Sequence, residues 1–116
     1  LRPAPIGPLM HPVYGPWHSY RGALAFAARL DLPPITAAPH PCDACRHVNC
    51  VAACPVGAFD SGVYDVAACR AHVRGADGGA CRELGCRARR ACPVGHDHAY
   101  SREQQAFHMA AFAATD

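Results

Sequence analysis

Eight cysteines in 116 residues constrain this chain more than any other feature. They fall into two groups. The first reads Cys42-x2-Cys45-x4-Cys50-x3-Cys54-Pro55 and the second Cys69-x11-Cys81-x4-Cys86-x5-Cys92-Pro93. Both close on Ala-Cys-Pro-Val-Gly, at Ala53 to Gly57 and at Ala91 to Gly95. Bulky side chains are scarce beside them: four Phe, four Tyr and one Trp, with much of the 51% hydrophobic fraction supplied by Ala and Cys. Such a chain buries little area per residue, so covalent or metallic cross-links have to supplement its core.

Three chemistries use eight cysteines. Four disulfides would staple a small secreted domain, but Cys42-x2-Cys45 and the Cys-Pro endings have the spacing of metal sites. A pair of four-thiolate zinc sites is the second reading, although zinc normally takes two Cys-x2-Cys pairs per site and the second group contains none. Two four-iron clusters are the third, one thiolate to each iron. The Cys-Pro ending marks the bacterial two-cluster run, whose fourth cysteine ligates the other cluster. That rule assigns Cys42, Cys45, Cys50 and Cys92 to one [4Fe-4S] cluster, and Cys54, Cys69, Cys81 and Cys86 to a second. Each cluster would staple the two halves together, linking metal binding to folding. One spacing departs from the standard run: four residues, Arg46 to Asn49, separate the second and third cysteines where two are usual.

Around the cysteines the chain is punctuated by proline and glycine. Pro3, Pro5, Pro8, Pro12 and Pro16 exclude a long helix at the start. Tyr14-Gly15-Pro16 is a turn signal, and the alternation Tyr20, Gly22, Leu24, Phe26 suits a strand, so a β-hairpin centred near Gly15 is expected. Leu24, Ala27, Ala28 and Leu30 would suit a helix equally. Trp17, Tyr14 and Tyr20 would pack the hairpin's small core. Thr36 to Pro41 connects to the cysteines. Val48 to Cys54 predicts about two helical turns stopped by Pro55. Asp65 is placed to cap a helix reaching about Val73 with Cys69 inside it. Gly75 to Gly79 reads as a flexible loop, and Ala80 to Cys92 as helix interrupted at Gly85. Ser101-Arg102-Glu103-Gln104 is a capping box opening a last helix, with Phe107, Ala110 and Ala111 on the face that covers the cluster region. The expected organisation is 1–41 hairpin and linker, 42–98 double-cluster region and 99–116 covering helix. They form one compact α+β domain, small and mostly helical, truncated at its N-terminus.

Charge excludes some functions. The net charge is +2, and all eleven basic residues are arginine, which argues against a strongly basic nucleic-acid binder. Arg82, Arg87, Arg89 and Arg90 form a basic segment that reads as a solvated helix face, or as a docking patch for an acidic partner or RNA phosphate. His40, His47, His96 and His98 flank the cysteine groups as surface or supporting residues. No phosphate loop, Ser-His-Asp set or paired-carboxylate motif stands out, so no catalytic residue is assigned. No apolar stretch is long enough to span a membrane.

The run from Trp17 to Cys92 resembles the double-cluster, ferredoxin-like domain of epoxyqueuosine reductases and, more distantly, of corrinoid reductive dehalogenases. The likeness lies in Leu30-Asp31-Leu32-Pro33, in Cys42 to Pro55, in Val56-Gly57-Ala58 and in Tyr64-Asp65-Val66-Ala67-Ala68-Cys69. Gly15-x-Trp17-His18-x-Tyr20-Arg21-Gly22 and Ala106-Phe107-His108-Met109 are similar to bacterial proteins simply called ferredoxins. The resemblance implies a ferredoxin-like fold and makes the isolated Cys69 a cluster ligand. Two departures limit it. Too few residues precede Cys42 for the cobalamin-binding portion of the reductases, and Cys81-x4-Cys86 replaces their Cys-x2-Cys pair. The expected function is therefore one-electron transfer by a cytoplasmic, non-enzymatic carrier of two [4Fe-4S] clusters. Its partner is a redox protein or a catalytic domain outside this sequence. The alternatives are the cluster domain of a larger reductase and a zinc-stabilised interaction module.

Overall fold

The computed structural model describes residues 1–35, 37–46 and 49–115. Among these residues five α-helices carry the regular structure: α1 Asn49–Ala52, α2 Val66–Arg74, α3 Gly79–Leu84, α4 Arg87–Arg90 and α5 Arg102–Ala114. Three short 3-10 turns, Pro41–Asp43, Ala76–Gly78 and His96–His98, link them. Among the described residues no β-strand forms. The expected β-hairpin is absent, and with it the α+β, ferredoxin-like fold.

The first residues show why. Two isolated antiparallel bridges, Pro3 with Leu9 and His11 with Gly15, are all the pairing they make. His11 and Gly15 exchange both backbone hydrogen bonds, at 3.0 and 2.9 Å. No ladder grows from that pair, because the next hydrogen-bonded pair would need the Trp17 amide opposite Leu9. The Trp17 amide turns back onto the Tyr14 carbonyl at 2.9 Å, which sends the chain away from its would-be partner. Residues 19–35 then run extended with every side chain exposed, Leu24, Phe26 and Ile35 included. This arm accounts for dimensions of 53 × 33 × 26 Å and a radius of gyration of 16.2 Å, against about 13 Å for a compact chain of this size. Of the three aromatic residues expected in a hairpin core, Trp17 is buried, while Tyr14 and Tyr20 are exposed.

The core gathers elsewhere. Ala4, Ile6 and Met10, from the looped first ten residues, pack with Ala58, Phe59 and Ala88. Met10 is 1% exposed; burying a methionine side chain contributes about 1.5–3 kcal/mol. Three cysteines of each group pack against this core: Cys42, Cys50 and Cys54 from the first, and Cys69, Cys86 and Cys92 from the second.

The cysteine region follows its local signals more closely. Asp65 caps α2, its carboxylate accepting from the Ala68 amide at 2.9 Å. α1 is shorter than the expected two turns, and Val48 lies outside the described residues, as do Thr36 and His47. Gly75 to Gly79 is not a loose loop: Ala76–Gly78 is a 3-10 turn and Gly79 already belongs to α3. Arg82 fixes this junction by donating to the carbonyls of Val73 at 2.5 Å and Gly75 at 2.7 Å. The interruption at Gly85 is complete, giving two separate helices, α3 and α4.

Ser101 caps α5 by accepting from the Gln104 amide at 3.2 Å. α5 packs on α3 and α2, but through a different face from the expected one. Phe107, Ala110 and Ala111 point outward, Phe107 at 70% exposure, whereas Gln105, His108, Met109 and Phe112 turn inward. Nearly every position from Ala106 to Ala114 is apolar, so hydrophobic periodicity alone does not select a face. The guanidinium of Arg70, in α2, sits 5.1 Å above the Phe112 ring and holds α5 in register.

Two four-cysteine cavities as a candidate cofactor site

Each cysteine takes its place from a short local device. His40 caps the 3-10 turn that carries Cys42: its Nδ1 accepts from the Cys42 amide at 3.3 Å. That leaves Nε2 as the protonated nitrogen, and it donates to the Arg2 carbonyl at 3.0 Å. Arg2 also pairs with Asp43 in the same turn. α1 begins beside Cys50 and ends just before Cys54; α4 lies between Cys86 and Cys92, and the two short helices pack on each other. Cys69 sits within α2 and Cys81, the most buried of the eight, within α3.

The thiols face two separate hollows. One is lined by Cys42, Cys45, Cys50 and Cys92, closed by Ile6, Met10 and Val94. The other is lined by Cys54, Cys69, Cys81 and Cys86, closed by Phe59, Val73 and Met109. Among the described residues no charged side chain lines the first cavity; His72 and Arg87 reach the second. Each helix of the α1–α4 pair thus has a cysteine of one cavity at one end and of the other cavity at its other end. All eight cysteines are free thiols, with no disulfide between them. Among the described residues no three His, Cys, Asp or Glu side chains form a group that could hold a single metal ion.

Electrostatics follows the same division. Burial pushes the Cys42 thiol up, and the neighbouring thiolates of Cys92, Cys50 and Cys45 add to it. Cys50 is likewise raised, by burial first and then by Cys92 and Cys45, against hydrogen bonds from backbone amides. In the second cavity burial raises Cys69 and Cys86, with contributions from Cys54 and Cys81 to the former and from Cys69 and Cys81 to the latter. At Cys86 the backbone amides of Arg89 and Ala88 oppose this; the Ala58 amide donates to the Cys54 sulfur at 3.4 Å. Each cavity therefore gathers four thiols, of which Cys42 and Cys50 in one and Cys69 and Cys86 in the other are kept from ionising by burial and by neighbouring thiolates. A cation-rich group that takes four thiolates relieves that conflict. By donor type, number and apolar lining, both cavities fit such a group.

Several neighbours had no sequence signal. The first ten residues form one wall of the first cavity through Ala4, Ile6 and Met10, although nothing in their spacing points to the cysteines. Arg89 is not on a solvated face. Its guanidinium lies 4.8 Å from the Trp17 ring and 4.7 Å from the Tyr100 ring, and it donates to the Pro16 carbonyl. With Arg82 clamped to α2, two of the four arginines of the basic segment are structural, while Arg87 is exposed. His96 and His98 are exposed, and His98 meets the Tyr14 ring edge-on at 4.9 Å. Burial first, then the neighbouring Cys69 sulfur and the thiolates of Cys86 and Cys54, hold the Tyr64 proton on well above the ordinary phenol range.

No helix among the described residues is long and apolar enough to cross a membrane. Comparison with protein-family models, with curated proteins and with solved structures found no match.

Proposed function

We propose that this chain is an iron–sulfur electron-transfer protein holding two [4Fe-4S] clusters. One would be bound by Cys42, Cys45, Cys50 and Cys92, and the other by Cys54, Cys69, Cys81 and Cys86. The observation that carries the reading is the sorting of eight free thiols into two apolar cavities of four, each drawing a thiol from the far cysteine group. A bound four-iron cluster takes up and releases one electron. The chain's own contribution is to supply the thiolates, to aim backbone N–H groups at the sulfurs of Cys50, Cys54 and Cys86, and to keep water away with Met10, Val94, Phe59 and Met109. Its partner is a redox protein or a catalytic domain, and eight unpaired thiols suit a reducing, cytoplasmic setting.

Iron, zinc and acid-labile sulfide per chain, measured on anaerobically purified protein beside its visible spectrum, test this. About eight iron and about eight sulfide, with a broad brown absorption that bleaches on reduction, are expected. Zinc without sulfide would make the chain a structural module and end the electron-transfer reading.

A further inference from the structure

The arm of residues 19–35 leaves the body at Tyr20 and returns at Ile35, both of which line one hollow with His11 and Pro12. Between them it bends at Ala27 and Ala28. Leu24, Phe26 and Ile35 are 85, 62 and 94% exposed, with Leu30 and Leu32 exposed beside them. Among the described residues no backbone N–H or C=O of the arm makes a hydrogen bond. A second uncovered apolar surface lies on α5. Phe107, Ala110, Ala111 and Ala114 are all exposed, and their spacing puts them on one stripe of the helix. Glu103, also exposed, stands one turn before Phe107 on the same side. The two surfaces share a root: Trp17, just ahead of the arm, meets Tyr100, just ahead of α5, with ring centroids 5.7 Å apart. The chain's surface is 8144 Å², against about 6,100 Å² for a compact protein of this mass. The surplus of about 2,000 Å² exceeds the roughly 800 Å² that each partner gives to a standard interface.

We propose that the arm is a dimerisation device: residues 19–35 of each copy lie across the outward face of α5 in a second copy, and the exchange is reciprocal. Leu24 and Phe26 cover Phe107, and the alanines of the stripe leave room for them. One chain carries both the apolar arm and an apolar face to receive it, each uncovered. Two copies related by a twofold axis therefore satisfy each other and close, with no surface left over to grow a filament. Charge agrees with this pairing, since Arg21 and Arg29 flank Leu24 and Phe26 while Glu103 marks the receiving face. The alternation at Tyr20, Gly22, Leu24 and Phe26, which finds no strand to pair with inside the chain, gives the arm an apolar side to lay on its neighbour. Nothing in this assembly draws on the clusters, so it holds or fails apart from the two-cluster reading.

The test is sedimentation velocity of the full chain, purified anaerobically and kept reduced so that no disulfide joins two copies. A two-chain species is expected, dissociating on dilution. Leu24→Asp combined with Phe26→Asp in the arm should give a single chain, and so should Phe107→Asp in α5. Helical circular dichroism should be unchanged in both, because the substituted side chains face solvent within their own chain. Mixing the arm variant with the α5 variant should restore a two-chain species, since one intact arm then meets one intact α5 face. That restoration separates a broken contact from a broken fold. A wild-type protein that sediments as a single chain at every concentration, a two-chain species that survives either variant, or a mixture that stays apart would overturn the exchange. A single chain that instead sediments with anionic lipid vesicles would assign the arm to a membrane surface and overturn it too.

Discussion

Gly15 lies so close to Val94 that a methyl group on its α-carbon would stand 2.0 Å from the Val94 carbonyl oxygen. The contact is mutual: a β-carbon on Gly95 would come within 2.3 Å of the Tyr14 carbonyl. Both glycines have positive φ, +56° and +71°. Two backbones thus touch where the N-terminal turn meets the exit from Cys92-Pro93. Gly15→Ala combines a clash with a strained φ and should destabilise the protein by about 2–4 kcal/mol. Urea unfolding checks this, and Gly22→Ala, where nothing lies within 4 Å, is the matched control.

Cys69→Ala should halve the iron. If the second cavity takes one cluster, its loss leaves about four iron and about four sulfide per chain in place of about eight each. Cys42→Ala should give the same stoichiometry with a different residual spectrum. Equal loss from both sites in each variant would contradict the division of ligands.

Arg89→Leu should loosen the N-terminal segment. The guanidinium is held between Trp17 and Tyr100 and bonded to the Pro16 carbonyl, an arrangement worth about 1–3 kcal/mol in total. Trp17 is the only tryptophan, so its emission should shift to the red as the ring becomes wet. Arg89→Lys should not restore it, because an ammonium cannot present a planar face to two rings at once.

Alkali should weaken the metal-free fold. Cys42, Cys50, Cys69 and Cys86 are all raised from the ordinary thiol value of 9.0, by burial first and then by neighbouring thiolates. A raised thiol favours the folded chain in its neutral form. The stability it contributes is present in full below about pH 9 and lost as pH climbs through the higher folded values. Helical circular dichroism of the metal-free chain should fall as the pH rises above about 9. A flat profile would mean that the thiols do not gather before metal binds.

What was legible in the sequence was local or covalently spaced. Asp65 and Ser101 announce their helices because a cap needs only a side-chain oxygen and an amide three residues on. Pro55 and Pro93 announce where helices cannot continue. The β-hairpin failed because alternation at Tyr20, Gly22, Leu24 and Phe26 describes a strand only if a partner offers a ladder, and prolines remove the donors on the facing side. The face of α5 failed because alanine and phenylalanine on all sides leave no moment to read. The Arg89 clasp and the Met10 wall depend on contacts across most of the chain. Side-chain type does not encode which distant surface it will meet.

The pairing of distant cysteines also fixes an order in time. A chain emerging from the ribosome presents Cys42, Cys45 and Cys50 first, yet their cavity lacks its fourth wall until Cys92 appears. The other cavity opens later, at Cys54, and is complete by Cys86. The half that starts first is finished last, so three thiols near the front wait exposed for almost the entire translation of the cysteine region.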